Sequence, residues 1–259
     1  MGHIRLGRLP TSRRWNQVIG LLEHGGSVPE LAAATAHAAE SELQSAKGDP
    51  ALGAAVWLLT QLPRAARSQR FAHELAALGF DPGAEQSLFS LTASFSNAVD
   101  RNGAAQKTRT DLGELAVQAA NESLTAIVSA QTPSLFDSTA EDLQRALGQL
   151  TTKDRFASLA RDFFARLTLK TLEYYISREL PNHVGSGGSY ATTQHHIDFY
   201  AALERHCREA ALIVEQFAGG WYSKSQFRGT LTPDSAQAFT DYALKKVRDE
   251  LHARASADA

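Results

Sequence analysis

The chain is poor in the residues that staple small folds or hold structural metals. Cys207 is its only cysteine, so an intramolecular disulfide framework and a cysteine-rich zinc module are both excluded. Long apolar runs are missing. The best uncharged stretch, Ala51 to Pro63, holds 13 residues and includes Gly53, Thr60 and Gln61, short of the roughly 18–20 that a membrane-spanning helix needs. An excess of one charge is missing as well. Lys+Arg total 26 against 28 for Asp+Glu, a formal net charge of −2, which excludes a basic coat over the whole surface.

Catalytic signatures are also absent. There is no Gly-Lys dipeptide and hence no Walker A loop, no G-x-S-x-G, no H-E-x-x-H and no Glu-x-x-His. These absences remove the common phosphate-binding loop, the nucleophile elbow, the zinc-protease helix and the helical di-iron pattern. Gly185, Gly187 and Gly188 follow a helical segment rather than a strand, so they do not form a dinucleotide-binding turn. No cofactor and no metal is expected.

What is present reads as helix. With 259 residues, 43% hydrophobic and 21% charged, the chain can bury a proper core. Trp15, Val18, Ile19 and Leu22 recur at helical spacing, which predicts a first helix over 12–24 closed by Gly25-Gly26. Ser27 and Glu30 have capping-box spacing and open an Ala-rich helix to about residue 46. That segment, ELAAATAHAAESEL, lacks the turn a helix-turn-helix requires. Asp49-Pro50 starts the next helix, which Pro63 should interrupt, with another over 64–78. Asp81-Pro82-Gly83 is a turn, and 85–99 is helical.

Residues 100–109 form a polar linker and a soft boundary. Thr110 and Ser138-Thr139 start further helices. The longest amphipathic run, 153–180, carries Phe156, Leu159, Phe163, Leu167, Leu172, Tyr175, Ile176 and Leu180. A Gly/Ser-rich loop is expected at 181–192, then a helix over 193–217 stopped by Gly219-Gly220. Residues 221–231 should be irregular or a short hairpin, and Thr232-Pro233-Asp234 starts the last helix. The expectation is an all-α, multi-helix bundle of about ten helices in a single domain, 1–259, with a basic arm at 1–11 and an extended segment only near His3–Leu6.

The functional candidates are sparse. Helical ribonucleases of the HEPN class use an Arg and a His separated by four to six residues on one helix. Arg178/His183 and Arg67/His73 resemble that spacing, but chance supplies about as many matches in a chain of this Arg and His content. Arg178 and His183 are the better pair because they border the glycine loop, although Pro181 between them should bend the chain. Trp221, Tyr222, Lys224, Phe227 and Arg228 combine aromatic and basic side chains as binding hot spots and stacking platforms do. Arg5, Arg8, Arg13 and Arg14 make the N-terminal arm basic, whereas 110–144 holds Asp111, Glu114, Glu122, Asp137, Glu141 and Asp142 with no Lys or Arg. That acidic stretch suits a basic partner, the chain's own arm, or plain solvation. His195, His196 and His206 are too spread along one helix to share an ion, and Cys207 reads as a small buried residue.

The reading that follows is a non-enzymatic helical adaptor or subunit working through protein–protein contacts or self-assembly. Ala and Arg richness, with no secretory signal in MGHIRLGRLPTSRRW, places it in a bacterial cytoplasm, with stress or anti-phage systems as a setting. The alternative is a nucleic-acid-acting protein: a HEPN-like ribonuclease or toxin using Arg178/His183, or a non-catalytic binder.

Overall fold

A computed structural model describes residues 13–24, 27–38, 46–103, 110–131, 139–183 and 193–257. Among them the protein is all-α, a multi-helix bundle with no strand. The helices are α1 (Arg13–His24), α2 (Val28–Ala38), α3 (Pro50–Ala65), α4 (Phe71–Ala77), α5 (Leu88–Asn102), α6 (Asp111–Ser129), α7 (Ala140–Gln149), α8 (Lys153–His183), α9 (Thr193–Ala210), α10 (Leu212–Arg228) and α11 (Pro233–Ala257).

Their starts are written in local chemistry. Ser27 Oγ accepts from the Glu30 N–H while the Glu30 carboxylate accepts from the Ser27 N–H at 2.9 Å, a reciprocal capping box. Thr139 and Asp142 repeat it at α7. Asp49 caps α3 by accepting from the Leu52 N–H at 2.9 Å. Its second oxygen accepts from the Thr110 hydroxyl at 2.8 Å, and Thr110 in turn caps α6 through the Gly113 N–H. One side-chain chain therefore fixes the starts of two helices.

Side chains pack into two apolar clusters that share α8. The larger gathers α3 to α7, α10, α11 and the first half of α8, including Leu58, Leu91, Leu124, Phe156, Phe163 and Val247. The smaller joins α1, α2, α9 and the second half of α8: Trp15, Leu31, Leu172, Tyr175, Phe199 and Leu203 among them. Between the two, Thr168 and Thr171 are buried, and each hydroxyl donates to a carbonyl one turn back. That satisfies a polar group without a partner from another element.

Three expected breaks are helix instead. Pro63 lies inside α3, two residues from its end, so it forfeits only a last-turn bond. Its neighbours Leu62 and Ala65 are buried in the large cluster and hold that turn in place. Pro181 likewise sits in the final turn of α8, so the expected loop at 181–192 is helical through His183; 184–192 lie outside the described residues. Gly219-Gly220 do not stop a helix either. α9 ends at Ala210, α10 follows at once, and both glycines lie in its interior.

The polar linker at 100–109 is helical to Asn102, and 104–109 fall outside the described residues, as do the His3–Leu6 segment and Gly25-Gly26. Val99 before that linker and Leu112 after it belong to the same cluster. No helix among the described residues is long and apolar enough to cross a membrane.

Candidate functional site

Residues 221–228 are the last turns of α10, not an irregular loop. The correction has a packing cause. Gly219 lets α10 approach α8 so closely that a Cβ there would lie 2.3 Å from the Lys153 carbonyl oxygen. That approach places Tyr222, fully buried, in a parallel stack on Phe156 with centroids 3.9 Å apart. The Tyr222 hydroxyl donates to the Thr60 carbonyl oxygen at 3.3 Å, and burial pushes its pKa up. Tyr222 is therefore a core residue and offers no surface for binding.

The other four candidates of this segment part company with it. Trp221 is half-buried and stacks on Phe239 of α11, centroids 4.0 Å apart. Lys224 and Arg228 are exposed, and Phe227 is 93% exposed. In a helix, positions 217, 221, 224 and 228 fall on one face. Phe217, Trp221, Lys224 and Arg228 thus form one row, and Phe217 packs edge-on against Tyr242 of α11. Tyr242 is 48% exposed, with the Lys246 ammonium 5.7 Å from its ring centre, a weak cation–π contact. The α10–α11 surface is consequently a strip of partly open rings with cations between them. Sequence reasoning found the strip's α10 half but missed Phe217, Tyr242 and Lys246, because only the pairing of the two helices brings them alongside.

The ribonuclease pair does not converge in the same way. Arg178 and His183 both lie on α8. Five residues at about 100° per residue set them roughly 140° apart around the axis, so they do not share a face; their side chains lie outside the described residues. Arg67 follows the end of α3 and His73 lies on α4, both exposed and on different elements. Of the basic arm, Arg5 and Arg8 lie outside the described residues, while Arg13 is exposed and Arg14 half-buried in the first turn of α1.

Three of the six acids of the 110–144 stretch are engaged inside the chain, and Asp137 lies outside the described residues. Asp111 is buried and accepts from the Tyr174 hydroxyl. Glu122 pairs with Lys170 at 2.6 Å and with Arg166 at 3.2 Å. Asp142 serves the α7 capping box and pairs with Arg145 at 2.8 Å, and the Thr139 hydrogen bonds, with help from Arg145, hold its carboxyl below the usual range. Glu114 and Glu141 remain exposed. The cations that answer Glu122 come from α8, including Arg166, whose i,i+4 bond to Asp162 is 2.6 Å long, while Arg145 of α7 answers Asp142.

Cys207 is completely buried in the smaller cluster, and desolvation, with Glu173 and Glu204 nearby, pushes its thiol pKa far up. It is no nucleophile. No group of three or more His, Cys, Asp or Glu suited to a metal ion occurs among the described residues. His206 is half-buried, and Glu209, one turn on, pairs with Arg254 at 2.7 Å. No protein-family model, curated protein or solved structure matches the chain.

Proposed function

We propose that the protein is a non-enzymatic helical adaptor or subunit that binds a protein partner, or a second copy of itself, through the α10–α11 strip. The observation that supports this most directly is Phe227, 93% exposed on a regular helix, at the edge of the strip and about 60° round α10 from Lys224. Rigid aromatic and guanidinium groups on a preformed helix lose little conformational freedom on binding, and such residues dominate interface hot spots. The setting we favour is a bacterial cytoplasm, within a multi-component system of the stress or anti-phage kind. The buried Cys207 and Tyr222 supply no reacting group at the strip, which supports binding over catalysis.

The test is affinity capture from native cells with the wild type and a Phe227→Ser/Arg228→Glu variant, alongside light scattering of both. The expected result is a stoichiometric protein partner, or a dimer, lost in the variant. A monomer that captures nothing with the wild type, or a partner kept in full by the variant, overturns the reading. Capture of RNA or DNA that added salt releases would install the nucleic-acid-binding alternative in its place.

A further inference from the structure

A groove of about 700 Å³ lies where the end of α3, the length of α7 and the start of α8 meet. Arg67, Arg145, Arg155, Thr151, Thr152 and Glu141 line it, with no aromatic or large aliphatic side chain among its walls. Such a lining offers hydrogen-bond donors but no ring or branched aliphatic surface. We infer that the groove is a binding site for a phosphate-bearing anion, held through the Arg67 and Arg155 guanidinium groups.

The hydrogen-bond inventory of the groove carries the inference. Its carbonyl oxygens are already engaged by the chain's own donors. The Gln144 amide donates to the Ala66 and Ser68 carbonyls at 3.0 and 2.9 Å. The Thr151 hydroxyl takes the Gly148 carbonyl at 2.7 Å, and the Thr152 hydroxyl takes that of Gln149 at 3.3 Å. Donors, by contrast, are left over. Among the described residues Arg67 donates only to the Thr151 hydroxyl, at a long 3.4 Å, and Arg155 only to the Gln131 side-chain oxygen at 2.8 Å. Both partners are neutral. A guanidinium carries five N–H donors in a planar fork that matches phosphate oxygens in pairs.

Arg145 is the third arginine, but Asp142 holds it at 2.8 Å, and Glu141 is the one carboxylate on the wall. The balance is positive on the α3 and α8 sides, where Arg67 and Arg155 stand. α8 starts at this edge, and its first-turn N–H groups add positive potential without being the basis of the site. Because no ring lines the groove, it recognises the phosphate group and not a base. The phosphate can be that of a free di- or triphosphate or of a nucleic-acid backbone.

The experiment is calorimetric titration of the full chain with pyrophosphate, tripolyphosphate, ATP and a mixed-sequence single-stranded oligonucleotide, each against sodium chloride of equal ionic strength. Pyrophosphate and tripolyphosphate should bind, with ATP no tighter than tripolyphosphate. Arg67→Ala and Arg155→Ala should each weaken tripolyphosphate at least tenfold, and Arg67→Lys and Arg155→Lys by less. Arg208→Ala, an exposed arginine on α9, should change nothing. Oligonucleotide binding at least tenfold tighter than tripolyphosphate, lost in the same variants, identifies the backbone as the source. Weaker or absent oligonucleotide binding identifies the free anion. No heat beyond the chloride control, or affinity unchanged in the Arg67→Ala/Arg155→Ala double variant, overturns the site.

Discussion

Two adjacent glycines in α10 should respond to the same substitution with opposite signs. In a helix interior, replacing Gly by Ala gains about 0.8–1 kcal/mol from backbone entropy alone. At Gly220 nothing lies within 4 Å of the added methyl, so Gly220→Ala should stabilise by about that amount. At Gly219 the methyl would sit 2.3 Å from the Lys153 carbonyl oxygen and 3.0 Å from its carbonyl carbon. Those are backbone atoms of the first turn of α8, and they cannot rotate away. Relief requires α10 to shift, which loosens the Tyr222–Phe156 stack. Overpacking of this kind costs about 1–3 kcal/mol, and a contact this short belongs at the upper end. After the propensity gain, Gly219→Ala should destabilise by about 1–2 kcal/mol.

Urea unfolding followed by circular dichroism reads both variants. On the usual scale for chains of this size, about 2–4 °C per kcal/mol, thermal scans should show Gly220→Ala rising by about 2–4 °C and Gly219→Ala falling by about 2–8 °C. Equal shifts of the same sign would refute the reasoning, because they would mean that the two positions share one environment, as the two residues of a helix-ending turn would.

Three further outcomes follow from other parts of the structure. Asp49→Ala removes the acceptor for both the Leu52 N–H and the Thr110 hydroxyl and should cost about 2 kcal/mol, read from the urea midpoint; Thr110→Ala in the Asp49→Ala background should then cost less than it does alone. Burial pushes the Glu173 carboxyl up, opposed by Lys170 and reinforced by Glu122 and Glu204. A carboxyl whose folded pKa is raised opposes folding once it ionises. Glu173→Gln should therefore raise the urea midpoint at neutral pH, with an advantage that fades as the pH falls below the ordinary carboxyl range; an advantage that grows towards acid would contradict this. The Cys207 thiol, buried and pushed up, should resist a thiol-specific reagent at pH 8 in the native protein and react fully in denaturant. Fast native labelling would show that α9 is not packed as described.

Helix starts were legible in the sequence because a cap is a contract between residues three apart. Ser27–Glu30, Asp49–Pro50, Thr110 and Thr139 are each recognisable within one turn, and each caps a helix. Helix ends were less legible. Gly219-Gly220 carries the same local signal whether glycine terminates a helix or lets one helix press against another, and only Lys153, far away in the chain, decides between them. Pro63 and Pro181 were misleading for a related reason: a proline in a final turn forfeits little, so long-range packing can keep the turn helical. Of the candidate site, exposed Phe227, Lys224 and Arg228 were legible as residue types, whereas Tyr222 was not distinguishable from them until its stack on Phe156 was seen. The acidic block at 110–144 left a basic partner, the chain's own arm and plain solvation open, because Arg166 and Lys170, which pair with Glu122, lie on a helix that the sequence places well downstream.

The sharing of α8 between two apolar clusters bears on how the chain matures. Trp15, Val18 and Leu31 are synthesised well before Leu172, Tyr175, Phe199 and Leu203, on which they pack. At synthesis rates of about 5–20 residues per second, those partners follow on the order of ten seconds or more later. Throughout that interval the first two helices have only each other to bury against, while α3 to α7 can already begin to collapse on one another. The nascent α1–α2 pair is thus a natural client for a holding chaperone, and a ribosome stalled before α9 would display its apolar face uncovered.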